Sequence, residues 1–346
     1  MIARRAVINL DDDRPSWALP DWAATRIAAA FPSGWDVVDV RGGVSGSGDG
    51  EGVSEAAIDA IAGAEVYFGY GFPRTLFNAG TRPHDFLHWV HSGSAGVASA
   101  LYPEFIERDI TFTNSAGIHA PPVAETALAM ILHFARGIDF ATRAQKRVEW
   151  HKQPYEERIG AVREIAGSTL GIYGFGGIGR ELACRASALG MHVIGTRRSD
   201  QPAPTGVEII RGDNAFDTLL ERSDYVVIAA PSTKETRGRF DSAALRRMKP
   251  DAVLINVSRG DILDEAALIT ALESGHLRGA ALDVFAAEPL PADSRLWSLD
   301  NVLITPHVSA TTTEYWRRQI DLITENIGRY LAGRPLRNVV DKAAGY

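Results

Sequence analysis

An α/β architecture of two doubly wound parallel sheets is what this sequence predicts, on three observations. Strand-like and helical runs alternate along almost the whole chain, which is βαβ rhythm. In the second half the strand-like runs are apolar nearly throughout, as expected when helices cover both faces of a parallel sheet. The length, 346 residues, is too great for one ordinary core and suits about two domains.

The first series runs from a strand at Ala6 to Leu10, through an amphipathic helix at Trp22 to Ala30, to a strand at Trp35 to Val40. Gly42 to Gly52 is dominated by glycine, serine and acid, has nothing to bury, and is expected to be a mobile loop. A helix at Glu55 to Ala62 and a strand at Glu65 to Gly69 resume the rhythm. Leu87 to Ser92, the turn Gly93-Ser94-Ala95-Gly96, a short helix near Pro103 and a strand at Ile110 to Thr113 complete it. The stretches Tyr70 to Phe77 and Trp150 to Tyr155 read as loops.

Pro121 and Pro122 can open a helix, whose first amides have no internal partners, so the apolar, breaker-free Val123 to Arg136 reads as a connector between domains. A second series of strands follows at Thr169 to Tyr173, Met191 to Thr196, Tyr225 to Ala229, Ala252 to Val257, Ala280 to Val284 and Val302 to Thr305. The last helix, about Thr311 to Leu331, is expected to return to the first domain and make it discontinuous. The predicted division is residues 1–117 with 308–346 in one domain and 118–307 in the other.

With 45% hydrophobic and 23% charged residues the composition is globular, and no apolar run is long enough to span a bilayer, so a soluble protein without a membrane partner is expected. Met1 to Leu10 leads into Asp11-Asp12-Asp13 without the hydrophobic region of a signal peptide. A single cysteine, Cys184, reads as a helix-packing thiol and fits a reducing compartment, so the expected location is cytoplasmic. Net charge is −7 and the basic residues are scattered, which argues against nucleic acid. No spacing suggests a metal site, and His119, His133 and His151 read as structural or peripheral.

Gly174 to Gly179, GFGGIG, fits G-x-G-x-x-G between the strand ending at Tyr173 and a helical stretch in which Leu182, Ala186 and Leu189 share a face. In that context Gly174 permits the tight turn, Gly176 lets backbone approach a pyrophosphate, and Gly179 lets helix and strand pack closely. Phe175, Gly177 and Ile178 complete the loop, whose amides at a helix start would hold phosphates. Eighteen residues past Gly179, where the motif expects an acid for the ribose hydroxyl, stands Arg197 within Thr196-Arg197-Arg198-Ser199. A carboxylate would repel a 2′-phosphate and a guanidinium binds it, so NADP(H) is favoured over NAD(H), which stays possible. Pro231, just past the third strand of this series, is counted with these cofactor contacts.

Three further patches each follow a predicted strand: Asn256-Val257-Ser258-Arg259-Gly260-Asp261, Ala281 to Pro289, and Thr305-Pro306-His307. Ligands bind at that edge of open α/β sheets. Together with GFGGIG, with Gly93 to Val97, and with Asn114 to Ala120 followed by Val123-Ala124-Glu125, these patches resemble the D-2-hydroxyacid dehydrogenase family over nearly the whole chain. That family includes glyoxylate/hydroxypyruvate reductases and phosphoglycerate dehydrogenases.

The resemblance implies two Rossmann-like domains, with Arg259 as substrate anchor, His307 as acid/base and Glu288 as its partner. It also implies that Asp283 faces the nicotinamide carboxamide, and that Ser94, Ala95 and Gly96 offer amides to the substrate carboxylate. The chemistry asks for the same residue types. Carbonyl reduction leaves charge on oxygen, which a histidine can quench with a proton near neutral pH. A carboxylate on the other ring nitrogen stabilises imidazolium and fixes the ring. Arginine grips a 2-oxo acid through carboxylate and carbonyl together, a fork lysine cannot copy.

The expected activity is hydride transfer between NADPH and a small 2-oxo or D-2-hydroxy acid in a cleft between the domains, by a homodimer formed through the cofactor domain. Glyoxylate/hydroxypyruvate reductase is the first choice. A phosphoglycerate dehydrogenase-like enzyme is an alternative, although those enzymes often carry extra C-terminal domains and this chain stops at Tyr346. A dinucleotide-sensing protein like the family's corepressors is another. Formate dehydrogenases, which place glutamine where Glu288 stands, are disfavoured.

Overall fold

The computed structural model describes residues 4–41, 53–81, 86–157, 162–198, 200 and 202–345. The expected loop Gly42 to Gly52, and Ser199, lie outside them. Two compact units are present, Met1–His119 with Thr311–Tyr346, and Ala120–Ala310. Their boundaries fall two to three residues beyond the expected ones, because the helix Ala120–Ala135 opens the second unit at its first residue.

In the first unit, strands β1 (Arg4–Asn9), β2 (Trp35–Asp39), β3 (Val66–Gly69), β4 (Trp89–Ser92) and β5 (Thr111–Asn114) form a parallel sheet in the order β2-β1-β3-β4-β5. Alternation along each strand feeds two cores. Ala6, Ile8, Val66 and Phe68 join one cluster, Val7 and Tyr67 the other. The helix Tyr315–Leu331 covers the first face with Trp316, Ile320, Ile323 and Ile327. Residues Arg74–Gly80, read from sequence as part of a loop, form a helix that buries Leu76 and Phe77, an apolar pair too short to show helical period.

The second unit holds β6 (Thr169–Tyr173), β7 (His192–Thr196), β8 (Val207–Ile210), β9 (Tyr225–Ile228), β10 (Val253–Asn256), β11 (Gly279–Leu282) and β12 (Val302–Ile304). All pair in parallel, in the order β12-β11-β10-β9-β6-β7-β8. The direction of winding reverses between β6 and β9, the position where such sheets bind ligands. In β9, Tyr225 and Val227 enter the core on one face and Val226 and Ile228 that on the other. Strand β8 was not expected, since Val207-Glu208-Ile209-Ile210 is a four-residue run broken by a charge. No helix among the described residues is long and apolar enough to cross a membrane.

Cys184 is exposed, which corrects its reading as a packing thiol. The helix Gly177–Ala188 buries Gly179, Leu182, Ala183 and Ala186, a face with helical spacing that leaves residue 184 outside it. Leu189, expected on that face, caps the helix and is 45% exposed.

His91, on β4, is fully buried between Thr113, at 2.9 Å from its Nδ1, and Ser115 and Gln319, each at 3.2 Å from its Nε2. Gln319 joins the C-terminal helix to the sheet through this network. Burial pushes the imidazole down to about 3, so it is neutral in the native protein. An unfolded histidine takes up a proton below about 6.5, so stability is lost as pH falls from there toward 3. Urea unfolding at pH 7.5 and 5.5 is expected to show a loss of about 1.4 kcal/mol from this residue, absent in His91→Gln. An equal pH dependence in both proteins refutes it.

Candidate active site

Six strands of the second sheet end in one row, Thr196↔Tyr173↔Ile228↔Asn256↔Leu282↔Ile304. Gly174, Arg197, Pro231, Arg259, Asp283 and His307 all lie within three residues past it, and Glu288 six past.

At the glycine turn, Gly174 has φ +95°, and a Cβ there would stand 2.5 Å from Ala230 Cα, so only glycine fits. Its amide and that of Phe175 donate to the Thr196 carbonyl, at 3.2 and 2.8 Å, which pins the turn to β7. A Cβ on Gly179 would lie 3.2 Å from Gly174 O and from Ile172, so this residue sets the close packing of helix on strand. Beside Gly176 nothing stands within 4 Å of that position, leaving space for a ligand to meet the backbone. The Phe175 side chain is buried, and Ile178 packs on the same core, so these two act as framework. The amides of Gly177, Ile178 and Gly179 open the helix and, as first-turn amides, have no intrahelical acceptor.

Arg197 presents the other half of a dinucleotide site. Its Nε and Nη2 are buried with no hydrogen-bond partner among the described residues. Buried charged donors without acceptors are costly, so an anion supplied from outside fits this position. Arg198 acts electrostatically on Tyr173 and Glu235. Pro231 is exposed, and its carbonyl accepts from Thr236 Oγ1 at 2.7 Å. The residues present therefore suit a phosphorylated dinucleotide.

Strand β10 ends in buried Asn256, whose Oδ1 accepts from the Ser258 amide and hydroxyl, both at 3.1 Å, and whose Nδ2 donates to Arg259 O at 2.9 Å. That turn brings Arg259 to the edge, where its side chain is exposed and Nη1 donates to Ser258 O at 2.6 Å. A Cβ on Gly260 would lie 1.8 Å from the Phe285 carbonyl carbon, so the backbone after Arg259 rests directly on the loop after β11. In that loop the Phe285 amide donates to Glu288 Oε1 at 2.9 Å, and Glu288 Oε2 meets His307 Nδ1 at 2.7 Å. Short contacts thus link Arg259 through Gly260, Phe285 and Glu288 to His307. Sequence reasoning gave Asn256 and Gly260 no role, although an amide side chain closing a strand and a glycine after the arginine are their signals.

His307 has φ +53°, a left-handed conformation that side chains rarely adopt and that costs on the order of 1–3 kcal/mol. Its amide donates to Asp283 O at 2.8 Å. Asp283 is fully buried, and its carboxylate accepts from Thr305 Oγ1 at 2.6 Å and from the amides of Val308 and Ser309, each at 3.0 Å. That is a different use from the expected carboxamide contact: the carboxylate clamps the loop that bears the histidine. Nδ1 of His307 being taken by Glu288, Nε2 has no partner among the described residues, and the side chain is 47% exposed.

Ser94, Ala95 and Gly96, in the first unit, follow β4. Their loop is tied by Asn114 Nδ2 to Ala95 O at 2.9 Å and by the Ser115 amide to Ser94 O at 3.1 Å. The Ser94 amide is already given to Ser92 Oγ at 3.2 Å, while those of exposed Ala95 and Gly96 have no acceptor among the described residues. His119 stacks on Tyr315, with ring centroids 5.5 Å apart.

Residues 128–309 match the family model described as D-isomer specific 2-hydroxyacid dehydrogenase, NAD binding domain. The chain is 35% identical over 259 residues to a glyoxylate reductase of Korarchaeum cryptofilum, covering 74% of this chain and 76% of that protein. Relatives called D-3-phosphoglycerate dehydrogenase also match, but the chain spans only 44–48% of their length. Among solved structures, a D-isomer specific 2-hydroxyacid dehydrogenase from Xanthobacter autotrophicus Py2, in complex with NADPH and MES, superposes with a TM-score of 0.80 at 32% identity, covering 99% of this chain and 100% of that one. An NADPH-dependent glyoxylate/hydroxypyruvate reductase from Sinorhizobium meliloti, in complex with NADP and sulfate, gives a TM-score of 0.77 at 28% identity, covering 99% and 100%. On the family match and the identity to a relative covered to three quarters of its length, the chain belongs to the D-isomer specific 2-hydroxyacid dehydrogenases.

Proposed function

We propose that this chain is an NADPH-preferring reductase of small 2-oxo acids, of the glyoxylate and hydroxypyruvate type, forming D-2-hydroxy acids. The observation that carries this reading is the 2.7 Å His307–Glu288 pair, whose Nε2 has no partner among the described residues, on the same strand-end row as the glycine turn. The nicotinamide dinucleotide, when bound, supplies the hydride that C2 accepts. Gly176 to Gly179 hold its phosphates, with Gly174, Phe175 and Ile178 shaping the turn, and Thr196, Arg197, Arg198 and Pro231 surround the adenosine end. Arg259 grips the substrate through its carboxylate and carbonyl oxygens, and the free amides after Ser94, at Ala95 and Gly96, take the carboxylate. His307 Nε2 gives its proton to the carbonyl oxygen as the C2–O double bond is reduced. Glu288 holds the ring and balances the charge, while Asp283 positions the loop.

NADPH oxidation by the purified protein with glyoxylate, hydroxypyruvate and pyruvate tests the reading. His307→Asn is expected to lower kcat by about 10²–10⁴, and Glu288→Gln by less. Dinucleotide binding with no turnover of any 2-oxo acid favours the corepressor-like alternative instead.

The orphaned nitrogens of Arg197 support the preference for NADP(H). Arg197→Asp is expected to raise KM for NADPH about tenfold or more while sparing NADH, and an unchanged preference overturns the assignment.

A homodimer in the cytoplasm is part of the same reading. Val148 and Trp150, 94% and 91% exposed, are apolar side chains suited to a partner copy. Sedimentation of the unaltered protein is expected to give a dimer and of Trp150→Glu a weaker one; a monomeric unaltered protein removes this part.

A further inference from the structure

Tyr173 closes β6 opposite Thr196 of β7, and the next residues on the two strands are Gly174 and Arg197. The Tyr173 ring is half-buried in an aromatic trio within the second unit, 5.2 Å from Phe216 and 5.3 Å from Phe240, which stand 5.2 Å from each other. All three contacts are edge-on, a packing that fixes the ring. Its hydroxyl has no hydrogen-bond partner among the described residues, although a tyrosine in such surroundings usually finds one. Burial pushes this hydroxyl up from its usual range against the pull of Arg239 and Arg198, so it keeps its proton near neutral pH and is available as a donor.

Arg239 lies on the same trio, its Cζ 4.3 Å from the centre of the Phe216 ring. Its backbone is fixed on both sides: the Gly238 amide donates to Asp261 O at 2.8 Å and the Phe240 amide to Ile262 O at 3.0 Å. The side chain is exposed, and its guanidinium has neither a carboxylate nor a carbonyl partner among the described residues. Arg211, Arg222, Arg237 and Arg247 of the same unit are each paired with an acid, so Arg239 stands apart from its neighbours. Arg198 also acts on the Tyr173 hydroxyl, which therefore sits under two guanidiniums. Glu235, on which Arg198 acts as well, is exposed and accepts from the Thr233 hydroxyl at 2.7 Å.

Resting on the reading of the chain as an NADP(H)-preferring enzyme, we propose that Arg239 and Tyr173 determine cofactor specificity together with Arg197, donating to the phosphate on the adenosine ribose. Cations and a neutral donor that lack acceptors call for a compact anion with several oxygens, and a phosphate monoester brings nearly two negative charges and three acceptor oxygens. A dinucleotide without that phosphate offers only a hydroxyl there and gains little from added positive charge. The two residues are positioned independently of Arg197, Tyr173 by the end of β6 and Arg239 by the segment that follows β9 and rests on residues 261 and 262. Three separate strand ends thus contribute to one anion.

Binding, not turnover, tests this: the dissociation constants of NADPH and NADH, from titrations of the whole chain followed by nucleotide fluorescence. Arg239→Met keeps an apolar stem over Phe216 and removes the charge. Tyr173→Phe removes one oxygen and leaves the aromatic trio in place, so it decides the matter should the methionine variant fail to fold. Kd for NADPH is expected to rise about tenfold in Arg239→Met and about threefold in Tyr173→Phe, while Kd for NADH stays within a factor of about two in both. Equal weakening of the two cofactors, as a contact with the adenine base would give, overturns the assignment, and so does unchanged NADPH binding. If the unaltered protein prefers NADPH, loses that preference in Arg197→Asp and keeps it in both new variants, this inference alone fails. If the unaltered protein binds NADPH no more tightly than NADH, the NADP(H) reading falls and this inference with it.

Discussion

The carboxylate of Asp283 is the group on which the reactive edge depends. A fully buried anion is costly unless hydrogen bonds replace its water, and here all three replacements come from the five residues 305 to 309. Satisfying that one charge folds the segment into a hook. The hook forces His307 into a backbone conformation that an isolated peptide would avoid, and Glu288 then needs only one contact to fix the ring. Local strain and its compensation sit next to each other, which is how strained residues persist in folded proteins.

Close backbone approach is the second device. Gly174 lets β6 turn against Ala230, Gly179 lets its helix sit down on Ile172, and Gly260 lets the arginine-bearing loop rest on Phe285. At Gly174 and Gly260 a methyl group would occupy space already filled by main chain, and at Gly179 it would press on Gly174 O and Ile172 at 3.2 Å. Cofactor turn, arginine and histidine are therefore referred to one another through covalent backbone and hydrogen bonds more than through flexible side chains.

Much of this was legible in the sequence because the signals were redundant. The apolar runs at Leu170 to Tyr173 and Val253 to Asn256 announce buried parallel strands, and GFGGIG between strand and helix has few alternative uses. Arg259, Glu288 and His307 are individually uninformative, but each follows a strand that pairs with the next. What escaped depended on contacts that no local pattern encodes. Strand β8 is held by its pairing with β7 and carries a glutamate in a run of four, so periodicity could not find it. Leu189 looked buried by helical spacing, yet the helix ends one residue earlier. The clamp made by Asp283 was invisible because its three donors lie some twenty residues downstream, on another strand's loop.

The histidine, its acid, the arginine and the glycine turn all belong to one continuous stretch of chain, whereas the Ser94–Gly96 turn belongs to a second compact unit built from both termini. On the proposed reading, the groups that move the hydride and the proton and the amides offered to the carboxylate belong to different compact units. Substitution within the terminal unit leaves the Asp283 hydrogen bonds and the strained His307 backbone untouched, because all of their partners lie in the other unit.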